Sequence, residues 1–168
     1  MRKITLPGLT FILCTLFLTS CSKDNLSEEV SSYDQVVTER LEYNYNSIEV
    51  EILEEINLYR RALNLIELKP MVNLSIESEK HNQYMISQGV VSHDNFSQRS
   101  SFLIQEVGAD KVGENVGYGY RTSQAVVNAW LKSKGHKENI EGDYTHFGIS
   151  VRQDADGKNY FTNIFIKR

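Results

Sequence analysis

Cysteine is scarce in this chain of 168 residues, occurring only at positions 14 and 21. Proline also occurs twice, at Pro7 and Pro70, and tryptophan once, at Trp130. With so little proline and only ten glycines, a collagen-like or low-complexity chain is excluded. Basic charge is in deficit, 18 Lys plus Arg against 22 Asp plus Glu, so the electrostatic footprint of a nucleic-acid binder is missing. The hydrophobic share of 40% is that of a globular protein and excludes wholesale disorder. The length suits one compact domain with extensions.

The one long apolar run is N-terminal. Arg2 and Lys3 precede Leu9 to Leu18, and the small residues Thr19 and Ser20 lead to Cys21. That order predicts a secretory signal over residues 1–20. The run is too short for a spanning helix. Leu18-Thr19-Ser20-Cys21 resembles the lipobox of bacterial lipoproteins. The resemblance implies cleavage before Cys21, lipid on its thiol, and a protein anchored on the bacterial envelope, at the outer membrane or cell surface. Each buried methylene of the acyl chains would contribute about 0.8 kcal/mol to that anchor. Cys14 would leave with the signal and Cys21 would carry lipid, so no disulfide would remain to staple the domain. Cleavage would also leave 16 basic against 22 acidic side chains. An acidic domain gains little from anionic lipid, so the anchor would be the membrane link.

Residues 21–46 are polar and acidic and predict a tether, with a short helix near Val36 to Leu41. Asp24, Glu28 and Glu29 read as a solvated run, with a sorting signal for surface export as the alternative. The domain is expected over 47–168. Ser47 is a plausible N-cap. Ile48, Ile52, Ile56, Tyr59 and Leu63 recur every three or four residues and predict an amphipathic helix ending near Asn64. Glu51, Glu54, Glu55, Arg60 and Arg61 lie off that stripe, and Pro70 is a stop signal. A second helix, after Asn73, puts Leu74, Ser78, His81 and Met85 on its inner face and closes at Gly89. A third spans Ser97 to Val107, capped by Gly108. A fourth starts at Thr122 or Ser123, buries Val126, Val127, Trp130 and Leu131, and ends at Gly135. Strands are predicted over Asn115–Tyr118, Tyr144–Arg152 and Tyr160–Ile166, the last two joined by a turn at Asp154-Ala155-Asp156-Gly157. Helices followed by strands imply an α+β fold, with helices covering a small antiparallel sheet.

Four motifs occur in order: Val91-Ser92-His93-Asp94, Gly113-Glu114-Asn115-Val116, Trp130 through Ile140 with Gly135-His136 inside it, and Phe147-Gly148-Ile149-Ser150-Val151. Together they resemble the CAP superfamily, also called the SCP or pathogenesis-related-1 domain, in its bacterial form. The resemblance covers about residues 50–166 and implies an α-β-α sandwich. It also implies a cleft in which His93 and Glu114 match the first His and first Glu of the family, and His136 its second His. The family's second Glu is not matched, since Leu131, Lys132 and Ser133 follow Trp130. Trp130 flanks the cleft in this family. His81, Asn115 and Ser133 are taken with it as cleft-lining.

Residue chemistry leaves three readings open. His93 and His136 could bind Zn²⁺, with Glu114 as ligand or outer partner. Glu114 could orient a histidine as general base. Or the residues form a polar network tying helices to sheet. His81 is either a packing histidine or part of the same site. His146 alternates with Phe147 and is expected at the surface. Tyr118, Tyr120, Tyr144 and Tyr160 are candidates for a groove rim. Two functions follow. One is a monomeric binding module for a small apolar ligand, a metal ion or an envelope component. The other is a metal-assisted hydrolase of envelope peptide, glycan or lipid.

Overall fold

A computed structural model describes residues 43–168. The signal segment, Cys21, the acidic run at 24–29 and the short helix expected near Val36 to Leu41 lie outside the described residues. Those described form five helices and four strands: α1 (Ser47–Ala62), β1 (Lys69–Pro70), α2 (Val72–Gln88), α3 (Phe96–Val107), β2 (Lys111–Tyr118), α4 (Ser123–Lys132), α5 (Lys134–Ile140), β3 (His146–Gln153) and β4 (Asn159–Lys167).

The α-β-α sandwich expected from the motif order is the observed architecture. One apolar layer joins Ile52 and Ile56 of α1, Val126, Val127 and Trp130 of α4 and Ile140 of α5 to Phe147, Ile149, Phe161 and Phe165 of the sheet. The opposite face packs Leu74 of α2 and Leu103 and Val107 of α3 on Ile164 and Ile166. Each such side chain, fully buried, contributes about 1.5–3 kcal/mol. The sheet order is β1-β3-β4-β2. β2, β4 and β3 are antiparallel, with Asn115 opposite Asn163 and Asn163 opposite Ile149. β1 corrects the expected all-antiparallel sheet: Lys69 and Pro70 pair in parallel with His146 and Phe147, just where the sequence pattern shows only a stop signal.

Local chemistry explains the helix ends. Asn46, not Ser47, caps α1; its side chain accepts from the Glu49 amide at 3.0 Å while Glu49 accepts from the Asn46 amide at 2.8 Å. This reciprocal box satisfies two backbone amides at the helix start, those of Asn46 and Glu49. Gly89 and Gly108 close α2 and α3 in the left-handed region, as expected. Leu63 leaves the apolar stripe, because the helix has ended and the residue turns out to solvent. The fourth helix, expected to end at Gly135, stops short of it at Lys132. The chain breaks at Ser133, in extended backbone, and restarts as α5 with Gly135 inside it.

Several polar side chains are buried to join the layers. Asn82 of α2 donates to the Ser150 carbonyl and accepts from Thr162, both at 2.7 Å. Gly148 makes this close approach possible: a Cβ there would stand 2.5 Å from the Ser75 amide nitrogen and 2.5 Å from Leu74 Cβ. Arg60, off the apolar stripe by its spacing, is nevertheless buried and donates to the carbonyls of Ile66, Ile140 and Gly142. Tyr43 and Tyr45 also join the domain, through Glu49 and Ser75.

Candidate functional site

Glu114 sits in β2, on the sheet face covered by α2 and α3. Arg99 reaches it from the first turn of α3, on the same inner stripe as Leu103 and Val107. Its Nε donates to Glu114 Oε2 at 2.9 Å and its Nη2 to Oε1 at 2.9 Å. The remaining arm, Nη1, donates to the Asp94 carbonyl at 2.7 Å. Asn95, between them, caps α3 at φ 60, a left-handed conformation that asparagine tolerates. The planar guanidinium matches the carboxylate as a fork, which offsets the cost of burying both charges.

His93 completes the carboxylate's partners. Its Nδ1 lies 2.8 Å from Glu114 Oε1. A carboxylate only accepts, so Nδ1 carries a proton and donates it, and Nε2 is the ring nitrogen that Glu114 leaves free. The His93 side chain is 49% exposed, against 1% for Glu114. His81 is fully buried beside this group. Its Nε2 donates to the Ser92 carbonyl at 2.8 Å and stands 3.9 Å from Glu114 Oε1, beyond hydrogen-bond reach. Its Nδ1 has no partner among the described residues. Burial pushes the His81 pKa below its ordinary value, while the Glu114 charge pulls the other way. The site thus contains His81 as a neutral, packed neighbour, stacked on Tyr84.

His136 arrives from the other side of the sheet. β2 is an outer strand, so side chains from both faces meet across its edge. The His136 and His93 rings stand 6.5 Å apart between centroids. His136 lies in α5 rather than in the loop expected beyond Gly135. Asn115 holds this segment by donating to the His136 carbonyl at 3.0 Å. Asn139, from the same helix, donates to the Glu114 carbonyl at 3.1 Å and to Asn115 Oδ1 at 2.9 Å. Trp130 is buried and donates through Nε1 to the Val116 carbonyl at 2.8 Å. Side chains therefore occupy the outward carbonyls of Glu114 and Val116, which blunts this edge against strand addition. Gly113 permits the packing: a Cβ there would lie 2.5 Å from the Tyr144 hydroxyl and 2.7 Å from Asn139 Oδ1. Burial, and then the neighbouring His93, lower the His136 pKa, so His136 is neutral at pH 7.

The structure brings together His93, Glu114, His136, His81 and Asn115, with Trp130 behind them. Ser133 joins α4 to α5 and makes no side-chain cap bond. His146 is half-buried rather than a free surface residue, with Nδ1 2.9 Å from Thr145 Oγ1, because β3 opens next to the β1 edge. Tyr144 and Tyr160 are buried in the core and cannot rim a groove; Tyr118 is exposed and packs over Tyr160. Sequence reasoning misses Arg99. The signal for it is periodic: Arg99, Leu103 and Val107 are spaced by four on one stripe, so a cation sits on an apolar face and needs a buried partner.

A zinc ion at a catalytic site takes three protein ligands. Among the described residues, no three His, Cys, Asp or Glu side chains are placed to hold a metal. Both Glu114 oxygens are taken by Arg99, and a guanidinium beside a dication is unfavourable. His93 and His136 are then the available ligands, and this donor set falls one short.

The sequence profile of the Cysteine-rich secretory protein family, CAP, matches residues 53–165, and the chain belongs to that family. It does so without a cysteine among residues 43–168. Two Bacillus subtilis proteins are similar in sequence. The membrane protein YlbC is 32% identical over 127 residues, covering 71% of this chain and 34% of that protein. YkwD is 28% identical over 108 residues, covering 62% and 42%. The chain thus spans well under half the length of these curated relatives. Among solved structures, an outer surface protein of Borrelia burgdorferi superposes with a TM-score of 0.67 at 22% identity, covering 75% of this chain and 96% of that one. An extracellular SCP-domain protein of Bacillus anthracis gives 0.65 at 24% identity, covering 73% and 41%. Surface, extracellular and membrane proteins are thus represented among these relatives by their own descriptions.

Proposed function

We propose that this chain is a binding module of the bacterial cell envelope, presenting the neighbouring His93 and His136 side chains to a small ligand or another envelope component. The observation that carries this reading is the state of Glu114. A buried carboxylate gripped at both oxygens by Arg99 is a poor proton shuttle and a poor metal ligand. It serves instead as a fixed post that sets the His93 ring. Export by residues 1–20 and lipid on Cys21 would hold the module at a membrane, in keeping with the surface and membrane relatives. A Cys21→Ser chain should then leave the membrane fraction and lose fatty-acid labelling; unchanged labelling would remove the anchor.

One feature favours the second reading, a hydrolase of envelope peptide, glycan or lipid. Glu114 fixes the His93 tautomer with Nε2 open, as an orienting carboxylate does for a base or for a metal-bound imidazole. Zinc titration calorimetry of the wild type, His93→Ala and His136→Ala, run beside a panel of ester, peptide and glycan substrates, separates the two. The binding reading expects no turnover and no stoichiometric zinc. Turnover lost in both variants would establish the hydrolase.

A further inference from the structure

A groove of roughly 660 Å³ runs along the solvent face of α1 to the β1 edge, far in sequence from His93 and Glu114. Its apolar part is Val50, Leu53, Leu58, Pro70 and Phe147. Val50 is 41% and Leu58 61% exposed. The inner face of α1 already buries Ile52 and Ile56; Phe147 belongs to that core and Leu53 packs against it, which leaves Val50 and Leu58 as apolar side chains with no core to cover. In the turn after the helix, Leu63 and Ile66 are exposed as well. Exposed apolar surface rimmed by polar groups marks an interaction site.

Charge identifies the occupant. The groove is lined by Glu51, Glu54, Glu55 and Glu67 against one cation, Arg61. Arg61 is already paired with Glu67 at 2.7 Å. Glu51 and Glu55 both stand 2.8 Å from the Ser123 hydroxyl, which has one proton to give. Glu54 makes no ion pair or hydrogen bond among the described residues. The groove therefore carries uncompensated negative charge beside apolar walls. Strand addition is disfavoured at the neighbouring edge, because the amides of Lys69 and Met71 already bond to the carbonyls of Thr145 and Phe147 and Pro70 has none. Recognition must run through side chains.

We propose that this groove docks a peptide segment of a partner protein in which lysine or arginine alternates with apolar residues. The basic groups would meet Glu51, Glu54 and Glu55, and the apolar ones would cover Val50 and Leu58. A bare polycation would leave the apolar line wet, and an acidic segment would meet repulsion.

The test is fluorescence anisotropy on the full-length chain in non-ionic detergent, with a short labelled peptide of alternating lysine and leucine. Glu54→Lys and Leu58→Asn should each weaken binding about tenfold. Glu138→Lys, the same charge change on exposed α5, should leave it unchanged. Lysine–serine and glutamate–leucine peptides, and spermine as competitor, should bind far more weakly. Both groove positions are exposed, and unfolding curves check that each variant folds. Equal weakening by Glu138→Lys, equal binding of either control peptide, full competition by spermine, or no binding at all would overturn the proposal. A dimer seen by sedimentation and dissolved by Leu58→Asn would also overturn it, giving the groove to a second copy.

Discussion

Arg99 holds Glu114 by both carboxylate oxygens in the interior between α3 and β2, and His93 leans on that pair from the solvent side. The Arg99 side chain is 9% exposed and the Glu114 side chain 1%. A buried pair of this kind is fragile in one direction only. Removing one partner strands a charge, whereas replacing both by apolar groups of similar size does not.

Arg99→Met should therefore destabilise the fold by about 3–5 kcal/mol, and the double variant Arg99→Met with Glu114→Met should recover most of that loss. His93→Ala, on a half-exposed side chain, should cost under about 1 kcal/mol. Urea unfolding of the four proteins decides the matter. A double variant no better than Arg99→Met would mean that the pair does more than neutralise itself.

Trp130 tests the other layer. Its ring fills the core beside Val126, and its Nε1 satisfies the Val116 carbonyl. Trp130→Ala should cost about 3–5 kcal/mol. Trp130→Phe keeps most of the volume and leaves that carbonyl without its donor, so its cost should be nearer 1–3 kcal/mol. Equal costs for the two variants would assign the contribution of Trp130 to its hydrogen bond, which both remove, rather than to its volume.

Two glycines should behave oppositely. A Cβ on Gly148 would collide with the backbone and Cβ of α2, so Gly148→Ala should cost about 3 kcal/mol or more. A Cβ on Gly135 meets nothing within 4 Å, inside helix α5. Gly135→Ala should stabilise by about 0.5–1 kcal/mol. Thermal melts of both variants check the pair of signs.

Most of this fold is legible because one-face apolar spacing is a property of local sequence. Ile52 and Ile56, Leu74 and Met85, and Val126 and Trp130 all lie where their periods put them. What is not legible depends on partners distant in sequence. Nothing near Arg60 announces that it will bond the carbonyls of Ile140 and Gly142, some 80 residues on. Nothing near Pro70 announces a parallel partner in Phe147. The site follows the same rule. His93, Glu114 and His136 can be named from their motifs, and the structure does bring them together. Arg99, which decides what Glu114 can do, carries no motif, and only its place on an apolar stripe marks it. The helix break at Ser133 is equally hidden, since Ser133 looks no different from an ordinary helix surface residue until α5 has to bring Asn139 to Asn115.

Histidine titration gives the last prediction. Burial is the first cause of the lowered pKa at His81, His136 and His146 alike. In the unfolded chain each takes a proton near pH 6.5. In the folded chain each resists it, so between the folded and unfolded values the unfolded state binds more protons. Stability should then be full above about pH 7 and fall as pH drops from there toward 5, before most carboxylates begin to titrate. His81→Gln should flatten part of that slope. At His136 the second cause is the neighbouring His93. His93→Ala should therefore raise the His136 pKa part of the way back toward its ordinary value, leaving the burial contribution in place. Proton NMR of the imidazole resonances in metal-free protein measures both effects. An unmoved His136 titration in His93→Ala would mean that the two rings, 6.5 Å apart, do not sense each other's charge and do not act on one ligand together.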